Sequence, residues 1–323
     1  MLQKGSFRII SSDTEGELED SRDTLASETE TSAGPDVCQV EPAETLVFFD
    51  LETTGLDQSC EIVQLSAVSG EKLFDKYILP MSECASVNGM RVVDGTLFLR
   101  GKPQPTSSLQ EAMAAFLKFL QSVSRPVLIG HNIWRFDCSV IHRVWEKLSM
   151  KDQFNECIVG FLDTLWLAKN MISRRAVKSY SLHHLVFTCV RKDFVAKNSL
   201  EEVKILQELY SVLNPSPEQT CNAQFSLSQF ECRLSLQPLL DQKIISNPIL
   251  VQLAKQEISL EKIKSAHQED PRCGVQKLLY VNGNTVLSRP ELTIRKIRAF
   301  LRVKSLKDRK LDSMWWNATQ NVK

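Results

Sequence analysis

Leu46-Val47-Phe48-Phe49-Asp50-Leu51-Glu52-Thr53-Thr54-Gly55-Leu56 opens on four apolar residues and closes on two acids and a sharp Thr-Thr-Gly turn. The apolar run reads as a buried strand of a parallel or mixed sheet. Alternation with period two puts Asp50 and Glu52 on one face as that strand emerges. Neighbouring carboxylates repel each other, and a divalent cation relieves the cost; all-oxygen donors suit Mg²⁺ or Mn²⁺. The glycine lets the backbone turn tightly enough to lie against a substrate. A bare Asp-x-Glu is usually a strand end with two solvated acids. Here the Phe-Phe strand before it and the Thr-Thr-Gly-Leu turn after it favour a metal centre.

The 323 residues, 43% hydrophobic and 24% charged, suit a soluble globular protein with a substantial core, as one domain with appendages or two small domains. Lys plus Arg equal Asp plus Glu at 39 each, so any attraction to nucleic acid must come from local patches. Nine cysteines without Cys-x-x-Cys pairing, and no basic-then-apolar leader, point to a reducing, intracellular setting. No apolar run approaches the roughly 20 residues of a membrane span.

Upstream, residues 1–45 form an acidic arm rich in Ser and Thr, which reads as disordered because it has too little apolar surface to offset the entropy of ordering. Within it Phe7, Ile9 and Ile10 run into Ser12, Asp13 and Glu15, an order that resembles a SUMO-interacting motif adding a strand to a sheet edge. A solvated tail with a chance apolar triplet is the alternative. Phosphorylation of Ser12 would strengthen the acidic flank.

Downstream, residues 61–68 and 73–79 read as two further strands of a meander, ended by Pro80. Residues 109–120 have helical periodicity, and Pro126–Gly130 is the next buried strand. His131-Asn132-Ile133-Trp134-Arg135-Phe136-Asp137 follows, with Asp137 near the start of a helix carrying Val140, Ile141, Val144, Trp145 and Leu148. An acid in a first turn is also favoured by the helix dipole alone. Asp163 reads as a capping residue, and residues 198–210 as a strongly amphipathic helix.

Phe49-Asp50-Leu51-Glu52-Thr53-Thr54-Gly55-Leu56 resembles the first motif of the DEDD 3′-5′ exonuclease superfamily, and His131-Asn132 with Phe136-Asp137 resembles its second. The resemblance implies an α/β, RNase H-like exonuclease fold, a mixed central sheet flanked by helices. It further implies metal ligation by Asp50, Glu52, Asp137 and Glu202, with two Mg²⁺ or Mn²⁺ ions about 3.5–4 Å apart. Thr53, Thr54, Leu56 and Asn132 would meet the terminal nucleotide, and single-stranded DNA or RNA 3′ ends would be the substrates. In the family's third motif a histidine precedes an alanine and an aspartate; on the amphipathic helix those positions are Lys197, Ser199 and Glu202. Glu202 keeps the carboxylate one methylene further out. Lys197 replaces the histidine that helps to deprotonate water, and a lysine near its ordinary pKa of about 10.4 cannot accept that proton. Two outcomes stay open: a weakened exonuclease, or a pseudo-exonuclease that binds nucleic acid or protein without turnover.

Residues 46–280 also resemble the exonuclease-like regions of the promyelocytic leukaemia protein family, including its free-standing fish members, through Phe225-Ser226-Leu227 and Leu236-Gln237-Pro238-Leu239-Leu240. That likeness implies a nuclear setting, with a cytoplasmic one as alternative. The expected organisation is then a disordered arm over 1–45, an exonuclease-like domain over 46–212, a helical extension over 213–288 and a basic tail over 289–323. A hairpin is expected between Lys277 and Leu287 about Asn282-Gly283-Asn284. The tail sets ten Lys and Arg against three acids, with Trp315 and Trp316 inserted. It reads either as a grip on a nucleic-acid backbone, as a basic helix docked through Phe300, Leu301 and Leu306, or as a nuclear-import signal.

Overall fold

The computed structural model describes residues 43–57, 59–81, 89–194, 198–280, 285–287 and 289–303. Phe7, Ile9, Ile10, Lys197, Leu306, Trp315 and Trp316 lie outside these, so the expectations resting on them are not addressed by it.

Strands β1 (Thr45–Thr53), β2 (Ile62–Ser69) and β3 (Lys72–Ile78) form the antiparallel meander expected from the sequence. A small separate sheet follows, made of β4 (Met90–Val93), β5 (Thr96–Leu99) and β6 (Lys102–Pro103), and β7 (Thr106–Ser107) then returns to pair in parallel with β3. Helix α1 (Leu109–Gln121) starts at a capping box in which Ser108 and Glu111 satisfy each other's backbone amides. It leads into β8 (Pro126–Gly130), parallel to β1. Next come α2 (Asp137–Lys147), α3 (Lys151–Cys157) and β9 (Gly160–Asp163), which is parallel to β8. The chain continues through α4 (Thr164–Met171), α5 (Leu182–Leu185) with a π-turn over Val186–Val190, and α6 (Ser199–Leu213). Helix α7 (Pro217–Ala223) precedes β10 (Gln224–Phe225); α8 (Leu227–Asp241), α9 (Asn247–Lys255), α10 (Leu260–Glu269) and α11 (Gly274–Leu279) follow, and residues 290–303 are helical.

The order of the main sheet is β10-β9-β8-β1-β2-β3-β7. Alternation along β1 sorts its side chains between two cores. Val47, Phe49 and Leu51 pack with α1, α2 and α3 around the fully buried Trp145 and Phe154, whose rings stack 4.3 Å apart. Phe48 points the other way, into a core with Val127, Ile129 and Leu162 beneath Val203, Leu206 and Leu209 of α6. Asp50 and Glu52 share the parity of Phe48, so they emerge on the side of the sheet that α6 covers.

Residues beyond 213 contribute in two ways. Phe225, Phe230 and Ala254 complete the first core, whereas Leu236, Leu250, Leu253, Ile263 and Ile297 build a third one among α8–α11 and the helix at 290–303. Gly160 is what lets β10 approach: a Cβ there would stand 2.6 Å from the carbonyl oxygen of Phe225. One local expectation is corrected. Lys277, Leu278 and Leu279 close α11 instead of opening a hairpin strand, because Val275 and Leu279, four apart, both face the third core. The hairpin's turn residues lie outside the described set.

Candidate metal centre

Three elements far apart in sequence deliver carboxylates to one cleft. Asp50, Glu52, Asp137 and Glu202 line it, together with Thr53, Gly55, Leu56, His131, Asn132 and Phe136, around a volume of about 330 Å³. β1 supplies the first pair. Asp137 is the first residue of α2 and is buried at 8% exposure. Glu202 comes from the first turn of α6, which is held against β1 by Ser199, whose hydroxyl donates to the Asp50 carbonyl at 3.1 Å. Ser199 is fully buried and three residues before Glu202, so the same helical face that anchors α6 carries Glu202 to the cleft. Asn198 caps the helix by accepting from Glu201 N at 3.0 Å.

The turn after β8 is fixed by Asp163. Its carboxylate accepts from the amides of Asn132 at 2.9 Å, Trp134 at 3.1 Å and Leu165 at 2.9 Å, so one fully buried side chain caps α4 and also shapes the His131–Asp137 segment. Its place directly before α4 in the sequence predicts the cap alone. Asn132 takes a left-handed φ of 64°, a conformation asparagine adopts more readily than most residues. His131 is held on both nitrogens, Nδ1 by the Thr164 hydroxyl at 3.0 Å and Nε2 by the Tyr180 carbonyl at 2.9 Å. A carbonyl can only accept, so Nε2 carries the hydrogen, and burial pushes the ring's pKa down to about 4. His131 therefore orders the turn and offers no free basic nitrogen.

Leu56, also lining the cleft, is 88% exposed, and Thr53 steadies the turn by donating from Oγ1 to the Gly55 carbonyl at 2.7 Å. Thr54 is not part of the wall. It pairs with Glu61, donating its amide to the Glu61 carbonyl and accepting the Glu61 amide on Oγ1, both at 2.9 Å.

The electrostatics are those of a site short of positive charge. Burial, then Glu202, Asp137 and Glu52, raise the Asp50 carboxyl well above its ordinary range. Burial raises Asp137 to about 7, with Asp163, Glu202 and Glu52 adding to it. Burial and Glu52 raise Glu202 to about 7. An all-carboxylate set of this kind fits a hard divalent cation, whose charge would replace the protons these groups otherwise retain. A consequence for the metal-free protein follows from the sign of these shifts. A carboxyl whose pKa is raised on folding favours the folded state below its unfolded pKa near 4, and that contribution is lost as pH rises through about 7. Urea unfolding in EDTA is expected to give a stability that falls by about 2–4 kcal/mol between pH 5 and pH 8. A flat profile would show that the acids are not confined together.

Residues 44–188 match the Exuperantia RNase H-like domain and residues 232–304 match the C-terminal domain of PML. Human protein PML is 28% identical over 233 residues, which cover 72% of this chain and 24% of that protein. The Drosophila melanogaster maternal protein exuperantia is 27% identical over 158 residues, 43% of this chain and 30% of that one. The chain thus spans about a quarter of the length of the PML relatives it matches. Among solved structures, the zinc-bound E. coli ExoI–ssDNA complex aligns with a TM-score of 0.43 at 14% identity, covering 64% of this chain and 46% of that one. Over residues 44–188 the chain thus matches an RNase H-like domain, and over 233 residues it is similar in sequence to PML.

Proposed function

We propose that the protein is a metal-dependent 3′-5′ exonuclease acting on the ends of single-stranded DNA or RNA, slowed by Lys197. The observation that carries this reading is the meeting of Asp50, Glu52, Asp137 and Glu202 on one cleft beside the exposed Leu56. These four carboxylates would hold two divalent ions, Mg²⁺ or Mn²⁺. Such ions, when bound, make water a stronger nucleophile and neutralise charge on the phosphoryl and leaving oxygens. The chain's own part is positioning. Leu56 would offer an apolar surface to the terminal base, while Thr53, Gly55 and Asn132, which line the same cleft, would border the sugar and phosphate. An end that must enter so small a cleft is best presented by a splayed single strand.

Lys197 supports a second reading, an inactive binding module. A protonated lysine cannot relieve water of its proton, and general-base help is worth about 10²- to 10⁴-fold. The two readings separate in one assay with 3′-labelled single-stranded DNA and RNA in Mn²⁺. Slow nucleotide release is expected from the natural chain, none from Asp50→Ala or in EDTA, and release faster by about 10²-fold or more from Lys197→His. If neither the natural chain nor Lys197→His releases nucleotide, the exonuclease reading fails and the binding module stands. The kinship to PML supports a nuclear location. Phe7, Ile9 and Ile10 belong to the same proposal as a SUMO contact, which a titration of residues 1–25 with SUMO would remove by leaving the Ile9 and Ile10 signals unmoved.

A further inference from the structure

Far along the sequence from the acidic cleft, a second cavity, of about 470 Å³, has the opposite charge. Lys243, Arg289 and Lys296 line it, and among the described residues no acidic one does. None of the three cations forms an ion pair among the described residues, whereas Lys151, Lys192, Lys264 and Lys277 each hold a carboxylate. Three unpaired cations on one small concavity repel each other, in a chain whose net charge is zero. Two hydroxyls also line the cavity. Thr293 is 7% exposed, and its hydroxyl makes no hydrogen bond among the described residues. Ser246 occupies the cap position of the nine-residue α9 without a side-chain bond to it, so both its hydroxyl and the positive end of α9 are available there. Donors without acceptors therefore come from α9, from the turn before it and from the helix at 290–303.

We infer that this cavity binds a phosphorylated side chain presented by a peptide of a partner protein. The dianion of a phosphoserine or phosphothreonine supplies the missing negative charge and several acceptor oxygens for the cations and hydroxyls. A peptide is favoured over a nucleic-acid backbone by what adjoins the cations. The floor is aliphatic, and a neighbouring groove continues from Ile244 and Lys296 over Phe300 to Val303, which is 55% exposed. Aliphatic flanking residues of a peptide fit that groove, whereas a single-stranded nucleic acid would call for several aromatic platforms and phosphates spaced along a track. The site lies within the segment that matches the PML C-terminal domain, apart from the acidic cleft's residues, and does not depend on turnover there.

The test uses the full chain with four probes: a degenerate phosphoserine peptide library, its unphosphorylated twin, inorganic phosphate, and a 12-nucleotide oligo-dT. The phosphorylated library should be retained at least tenfold more strongly than its twin, and inorganic phosphate should compete. Lys243→Gln and Lys296→Gln should each weaken retention about tenfold, as expected for a lost charge-assisted contact, and the Asp50→Ala variant should bind as the natural chain does. Thr293→Val, close in shape, should weaken it less while leaving the melting curve nearly unchanged. Equal retention of the two libraries, or retention indifferent to the lysine substitutions, would overturn the inference. So would competition by oligo-dT stronger than that by phosphate, which would reassign the cavity to nucleic acid.

Discussion

Asp50→Asn is expected to make the metal-free protein more stable while removing its response to Mn²⁺. Asp50 is crowded by Glu202, Asp137 and Glu52 in a half-buried cleft, and an amide of the same shape keeps the packing without the charge. At pH 8 in EDTA the gain should be about 1–3 kcal/mol, a rise of roughly 3–10 °C in the unfolding midpoint for a domain of this size. At pH 5 it should be smaller, because burial and the neighbouring carboxylates favour the protonated natural carboxyl as the pH falls. Millimolar Mn²⁺ should raise the midpoint of the natural chain through binding to the folded state alone, and leave that of the variant unmoved. Thermal scans at two pH values, with and without the ion, read all four corners. A variant less stable than its parent at pH 8 would mean that Asp50 is held by a compensating partner and that the cleft is not an ion site awaiting charge.

Phe225→Ala should cost about 3–5 kcal/mol, a large share of the 5–15 kcal/mol typical of a folded protein. The ring is 3% exposed and meets Trp134 edge-on at 4.5 Å and Phe161 face-on at 5.3 Å, with Phe230 at 6.4 Å. Its removal leaves a cavity between the sheet and α8 that neither can collapse to fill. The effect should extend to the cleft, because the Trp134 amide is one of three held by Asp163, and a loosened Trp134 releases the segment that delivers Asp137. Urea unfolding is the measurement. A loss below about 1 kcal/mol would show that β10 and α8 are ornaments on a sheet already complete.

The sequence reading reached the elements whose periodicity is local. The strand ending on Asp50 and Glu52, the meander, the strand Pro126–Gly130 and the helices bearing Asp137 and Glu202 all stand where alternation and three-to-four spacing put them. What it could not reach is set by contacts between distant residues. Asp163 has the ordinary look of a helix cap, and nothing in its neighbourhood announces that it also fixes Asn132 and Trp134, about thirty positions away. Ser199 stands in a slot where the family pattern has a small residue, a hint of close packing, but its bond to the Asp50 carbonyl belongs to the tertiary fold. The two-residue β10 is too short for any periodic signal, and Lys277–Leu279 carries alternation too brief to tell strand from helix. Lys243, Arg289 and Lys296 are spread over more than fifty positions, so runs of charge along the sequence mark the basic tail and not this cavity.

The pairing of β10 with β9 also governs how the chain can be made. Residues 160 to 163 wait for a neighbour that follows them by more than sixty positions, with four helices of the α4–α7 region in between. On a ribosome adding about 5–20 residues per second, several seconds pass with that flank of the nascent sheet uncovered. During this interval Gly160 and Phe161 present an open apolar border to any chaperone or stray strand. A stop codon between Glu202 and Phe225 makes the exposure permanent, so such truncated products should be cleared or aggregate even though every acid of the cleft has already been translated.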